Sequence, residues 1–283
     1  MKKLAWCTDV HLDFLDGPDD VGRVHEEFAE PLSRVDCDGV VISGDISLAQ
    51  HIVRHLNILD RIVGKPIYFV LGNHDFYGGA FDVVRGQVDE LCSKSNGLRY
   101  LTGSDPVPLS DDVALVGDDG WYDARHGNLG ASNFVMSDWF RISDYINAGA
   151  MEVGAWGPRP HMGIVVATSR KFADASAERL RTSLRSAAAT HPTVLVVTHI
   201  PPWPKAHRHN GKTGSPSTHP WYTSKASGDA IEEVAREFPK ARFEVFCGHT
   251  HGKFDARITS NIICHVGGAD YGAPAIAGFI QVP

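Results

Sequence analysis

Ile67-Tyr68-Phe69-Val70-Leu71-Gly72-Asn73-His74-Asp75 is an apolar, partly β-branched run that ends at a polar cluster. The same arrangement occurs at four other places. Leu4–Thr8 leads into Asp9-Val10-His11, and Gly39–Ser43 into Gly44-Asp45. Thr193–Val197 leads into Thr198-His199, and Phe243–Cys247 into Gly248-His249-Thr250-His251. Short apolar runs of this kind, bounded by glycine or polar residues, read as buried strands. In open α/β sheets, functional groups gather beyond the carboxyl ends of strands. Five such clusters, all rich in metal-ligand atoms, describe one site.

Between the runs the chain alternates strand and helix. Asp20–Val35 reads as an amphipathic helix interrupted by Pro31. Leu48–Val63 has helical spacing through Leu48, Ile52, Leu56, Leu59 and Val63, and Phe81–Ser93 follows as a third helix. This alternation predicts parallel strands joined by helices. Leu98–Leu101 and Val113–Gly117 read as short strands, Asp118–Ala131 as a loop and Val135–Ala148 as a helix. Thr168–Thr190 reads as a long surface helix ended by His191-Pro192. Pro201–Thr223 is a long loop dense in Pro, Gly, His, Lys and Arg, a kind that is uncommon inside a compact domain and often functional. Ser224–Phe238 reads as a helix. Lys253–Thr259, Ile262–Val266 and Gly278–Val282 read as antiparallel strands. Because the clusters run from Asp9 to His251, residues 1–283 are expected to form a single domain.

With 43% apolar and 22% charged residues, the 283-residue chain has the make-up of an ordinary globular protein. Its net charge of −7 argues against an extended nucleic-acid track. It does not exclude an anionic substrate, because bound dications would set the local potential. The five cysteines lack CxxC spacing and read as reduced, buried thiols. The apolar stretch after Met1-Lys2-Lys3 is too short for a signal peptide, and no window reaches membrane-spanning length. A cytoplasmic location without membrane association is the expectation.

Residues i and i+2 of an extended segment point to the same side, so Asp9 can converge with His11, and His249 with His251. Oxygen and imidazole donors without thiolate suit Mn, Fe, Zn or Ni. Asp9, His11, Asp45, Asn73, His199, His249 and His251 are too many for one ion once water is added. Shared by two ions with one carboxylate bridging, they leave room for water and substrate. Two dications, offset by Asp9, Asp45 and a bridging hydroxide, leave a charge near +1. That charge suits a phosphate ester, whose oxygens gain charge in the transition state.

The ordered pattern D-x-H, G-D, G-N-H-D, H, G-H-x-H over positions 9–251 resembles the calcineurin-like metallophosphoesterase superfamily. The resemblance implies an α/β fold, a four-layer αββα sandwich of two mixed sheets with helices outside. It implies that Asp9, His11 and His251 hold one metal, that Asn73, His199 and His249 hold the other, and that Asp45 bridges them. His74 would steady the phosphate and protonate the leaving oxygen, with Asp75 orienting His74. The implied activity is hydrolysis of small phosphate mono- or diesters, nucleotides among them. Protein Ser/Thr phosphatases follow G-D with V-D-R-G, whereas Ile46-Ser47-Leu48-Ala49 stands here, and Asp75 stands where that branch has glutamate. Branches resembling cyclic-nucleotide phosphodiesterases, broad phosphodiesterases and small-molecule phosphatases all fit the core motifs. A scaffold that keeps the fold without the chemistry is the alternative class, but such loss usually removes ligands and none is missing.

Arg125, His207 and Arg208 are the candidate substrate contacts on the two loops. Trp203 and Trp221 either wall a pocket or pin their loop to the body. Gly267-Gly268-Ala269 reads as a close-packed turn.

Overall fold

The computed structural model describes residues 1–15, 22–154, 157–209 and 211–283. Asp20 and Val21, where the first helix was expected to begin, lie outside them.

Strands Ile276–Val282, Lys2–Cys7, Gly39–Ser43, Ile67–Val70 and Leu98–Tyr100 form one sheet in that order. Ile276–Val282 runs antiparallel to Lys2–Cys7, and the other pairings are parallel. The second sheet runs Phe254–Arg257, Ile262–Val266, Arg242–Cys247, Thr193–Val197, Val113–Gly117, Val107–Pro108. Its two edge strands are antiparallel to their neighbours, whereas Ile262–Val266 lies parallel to Arg242–Cys247. The tail is therefore mixed where antiparallel strands were expected.

The period-two alternation of the strands builds the layers. Leu4, Trp6, Val41 and Val70 of the first sheet meet Leu115, Leu195, Val197 and Phe246 of the second in the core between them. The alternate residues Ala5, Cys7, Val40, Ile42 and Phe69 face helices Ile52–Val63 and Phe81–Lys94. On the other side Val116, Val194, Val196 and Val245 face helices Met162–Ala188 and Lys225–Glu237. The result is the four-layer αββα sandwich. In both sheets the parallel strands end at the same edge, which places all five polar clusters together.

Three helices depart from the sequence reading. The first is not broken at Pro31: Glu30 N–H reaches back to the His25 carbonyl in a π-turn over His25–Ala29, and the helix continues through Glu30–Ser33. A widened turn just before proline accommodates a ring that has no N–H to donate. Val135–Ala148 divides into Asp138–Arg141 and Ser143–Ala148, because Ile142 is extended and fully buried. The long helix begins at Met162, six residues before Thr168. The Pro201–Thr223 loop also carries structure: a 3₁₀ turn Pro204–Ala206, a hairpin of Arg208–His209 with Lys212–Thr213, and a helical turn His219–Tyr222. No helix among the described residues is long and apolar enough to cross a membrane.

Candidate metal centre

The first cluster is held on the second by backbone bonds. Asp9 and His11 donate their N–H groups to the carbonyls of Gly44 and Asp45, both at 3.0 Å. Asp9 and His11 have φ of 48° and 40°, so they converge through two left-handed residues in a tight loop. Strand alternation is therefore not what pairs them, nor His249 and His251, with φ of 66° and 55°. With Asp45 at 50°, five of the six left-handed non-glycine residues among those described are expected ligands. Each such conformation costs of order 1–3 kcal/mol, and such strain clusters at functional sites.

Two donor groups result. Asp9, His11, Asp45 and His251 offer one ligand atom each, all within 4.8 Å of one another, as do Asp45, His199 and His249. Asn73 joins the second group: its Oδ1 lies 3.2 Å from His199 Nε2 and 3.0 Å from His249 Nδ1. His11 Nε2 and His251 Nε2 are 3.3 Å apart, His251 Nε2 and Asp9 Oδ1 3.4 Å, His199 Nε2 and Asp45 Oδ1 3.3 Å. Metal–ligand bonds of about 2.0–2.2 Å give ligand–ligand edges of roughly 3.0–3.5 Å. The spacing and the oxygen–imidazole chemistry fit two transition-metal ions with Asp45 between them.

In the second donor group the histidine nitrogens turned away from the centre are occupied. His199 Nδ1–H donates to the Ser43 carbonyl at 2.9 Å, and His249 Nε2–H to the Trp221 carbonyl at 3.2 Å. Those bonds set the tautomers and leave His199 Nε2 and His249 Nδ1 as donors toward the centre. Asn73 is fixed the same way. Its Nδ2 donates to Tyr77 Oη at 2.9 Å, and Tyr77 Oη donates to Asp138 Oδ2 at 3.0 Å. The amide oxygen is thereby turned to the histidines. Tyr77 and Asp138 carry no signal in the sequence that would have found them.

Electrostatics follow from burial. Burial alone would raise the Asp45 pKa, but His199 and His74 outweigh it and leave the carboxylate well below its ordinary range. Burial opposes protonation of His199, yet Asp45 wins and lifts that imidazole to about 10. Burial lowers His11 to about 4 and, with His199 adding to it, His249 to about 3. In the metal-free protein at neutral pH, His199 is thus a cation, while His11 and His249 are neutral.

His74 stands at the mouth. Its backbone N–H donates to Asp45 Oδ1 at 2.9 Å, and its ring packs 4.5 Å from those of His11 and Tyr77. Asp75 does not reach that ring. Its buried carboxylate accepts from the N–H groups of Ile46, Ser47 and Gly72 at 2.9, 2.6 and 2.8 Å. It ties the second cluster to the third, and the orienting role expected for it is corrected accordingly.

A cleft of about 260 Å³ opens over the donors, lined by Asp45, His74, Asp138, His209, Tyr222 and Tyr271 among others. The three expected substrate contacts are not on it. Arg125 is held by Asp123 and, through both terminal nitrogens, by Asp174 at 2.6 and 2.8 Å. His207 is buried with its ring stacked 5.1 Å from Tyr222, and the Arg208 guanidinium lies 3.7 Å over Phe254. His209 and Tyr222 supply the loop's contribution instead. Both tryptophans pin the loop: Trp203 Nε1 donates to Glu232, and the buried Trp221 to Ser132 Oγ.

No curated protein sequence matches the chain. Among solved structures, a phosphopantetheinyl hydrolase from Mycobacterium tuberculosis superposes with a TM-score of 0.61 at 15% identity, over 94% of this chain and 89% of that one. A dimetal phosphatase from Danio rerio gives 0.53 at 15% identity, over 94% and 87%. At these identities the likeness establishes the fold. The profile of the calcineurin-like phosphoesterases matches residues 2–253. The chain therefore belongs to the calcineurin-like phosphoesterase family of metal-dependent phosphoric ester hydrolases.

Proposed function

We propose that the chain hydrolyses small phosphate esters, with Asp9, His11 and His251 holding one metal ion, Asn73, His199 and His249 the other, and Asp45 shared. The observation that carries this reading is the membership of Asp45 in both donor groups. Bound there, the pair of ions would supply a water of lowered pKa and neutralise charge on the phosphoryl oxygens. The protein's part is positional. The bond from the His74 backbone N–H to Asp45 places His74 beside the shared carboxylate, and its side chain lines the cleft where a leaving oxygen would lie. Burial keeps His74 below its ordinary pKa, although Asp45 acts the other way. An arriving phosphate anion favours the charged imidazole further, so the ring takes up its proton as substrate binds and returns it to the leaving oxygen.

The test compares wild type with His74→Ala on aryl phosphate mono- and diesters in the presence of Mn. A loss of roughly 10²–10⁴ in kcat is expected for the variant. Unchanged rates would remove His74 from the chemistry.

A further inference from the structure

The cleft's walls have a consistent character. No lysine or arginine lines it among the described residues, and residues 16–21, 155, 156 and 210 contain none. The Arg141 guanidinium comes near, but it lies 4.4 Å over the Tyr77 ring and is not a lining group. The one carboxylate outside the donor groups is that of Asp138, whose Oδ1 is buried without a hydrogen-bond partner. Against this, the mouth is aromatic. Tyr271 and Phe14 are 53% and 50% exposed with centroids 5.0 Å apart, and Tyr271 lies 4.5 Å from His11 and 4.8 Å from His251. Phe134 and Val135, which also line the cleft, are 39% and 53% exposed. Single exposed apolar residues need no explanation, but four gathered at one mouth mark a binding surface.

From these walls, and resting on the phosphoesterase reading above, we propose that the site prefers monoanionic phosphodiesters with an aromatic arm on the Phe14–Tyr271 platform. Two dications, less Asp9, Asp45 and the nucleophile, leave about one positive charge. A diester matches it. The second negative charge of a monoester would find no lysine or arginine and would face Asp138. An aromatic ring on Phe14 and Tyr271 covers apolar surface otherwise left to water. Hydrolysis adds one water across a P–O bond: its oxygen joins phosphorus, and the leaving oxygen takes the proton from His74. The products are an alcohol or phenol, a dianionic monoester and one proton released to solvent. The site holds that monoester less well than the substrate, so reaction stops after one cleavage.

Three substrates sharing one leaving group test this on the Mn-loaded full chain: p-nitrophenyl phosphate, methyl p-nitrophenyl phosphate and bis(p-nitrophenyl) phosphate. The bis-aryl diester is expected to exceed each of the others at least tenfold in kcat/KM, with p-nitrophenyl phosphate accumulating. Tyr271→Ala and the bulk-conserving Tyr271→Leu should both shrink the bis-aryl to methyl ratio severalfold. Calorimetry should show diphenyl phosphate binding more tightly than phenyl phosphate to the metal-loaded wild type, with that difference reduced in both variants. Equal or faster turnover of the monoester, release of inorganic phosphate from the diester, or a ratio untouched in both variants overturns the inference while the phosphoesterase reading stands. Failure to turn over any of the three overturns that reading and this inference with it.

Discussion

Gly72 carries no side chain because a Cβ there would sit 2.2 Å from Asp45 Oδ1. A Cβ at Gly248 would sit 2.1 Å from Asp9 Oδ2, and one at Gly44 2.6 Å from His199 Nδ1. In each case a glycine of one cluster leaves room for a donor of another, so the glycines and the ligands are one packing arrangement. Gly72→Ala is expected to displace the shared carboxylate, lowering bound metal below two ions per chain and cutting activity by on the order of 10². Gly64→Ala is the contrast: it has φ of 65° and open space around it. That change should cost about 1 kcal/mol in stability and leave metal content alone. Elemental analysis beside thermal melts separates the two. Asp75→Ala should strand three buried N–H donors and cost roughly 3 kcal/mol or more, read as a fall in Tm. Asp75→Asn, which keeps one acceptor oxygen, should recover part of it. A kcat loss at unchanged Tm would instead favour the orienting role on His74. The seven side chains of the two donor groups were legible as candidates in the sequence because donor types at strand ends are local. The partners of Asp75 and the need for Gly72 were not, because both depend on what another cluster places opposite.

The strand–helix alternation of the first half was equally legible, since apolar runs mark its buried strands and helical spacing marks Ile52–Val63 and Phe81–Lys94. The long helix extends past the sequence expectation at its start, where β-branched Ile164, Val165 and Val166 have low helix propensity. Burial of Val165, Ala173 and Ala177 in the main core overrides that propensity. The break at Ile142 was invisible for the same kind of reason, a side chain pulled out of helix by burial. That break matters to the site. It leaves Asp138–Arg141 as a separate turn whose Asp138 reaches Tyr77, on the turn that carries Asn73. Tyr77→Phe is expected to free the Asn73 amide and weaken binding at the His199–His249 group by about 10–100-fold, leaving the His11–His251 group nearly unchanged. Stepwise metal titration reads the two affinities. Equal weakening at both would mean that Tyr77 supports the whole cleft and not Asn73 in particular.

Each donor group takes residues from both sheets: His251 joins Asp9, His11 and Asp45 in one, and His199 and His249 join Asp45 and Asn73 in the other. Metal bound by these groups would cross-link the halves of the sandwich, and chelation should then lower Tm. The pH dependence of the metal-free protein has two limbs. His11 and His249 are lowered in the fold, to about 4 and about 3, from the ordinary 6.5. Below pH 6.5 the unfolded chain takes up protons that these buried rings refuse, so stability falls toward pH 3–4. His199 is raised to about 10, so its contribution is complete below 6.5 and is lost as pH rises through 10. Opposed slopes place the best metal-free stability near pH 6.5. The same proton governs metal uptake. A metal ion at the second group needs His199 neutral, so binding at pH 7 must eject a proton, and affinity should rise by up to about tenfold per pH unit over pH 7–9. Calorimetric titration in two buffers of different ionisation enthalpy counts that proton. A pH-independent affinity with no proton released would mean that Asp45 does not hold His199 charged, and the electrostatic account of the centre would fall with it.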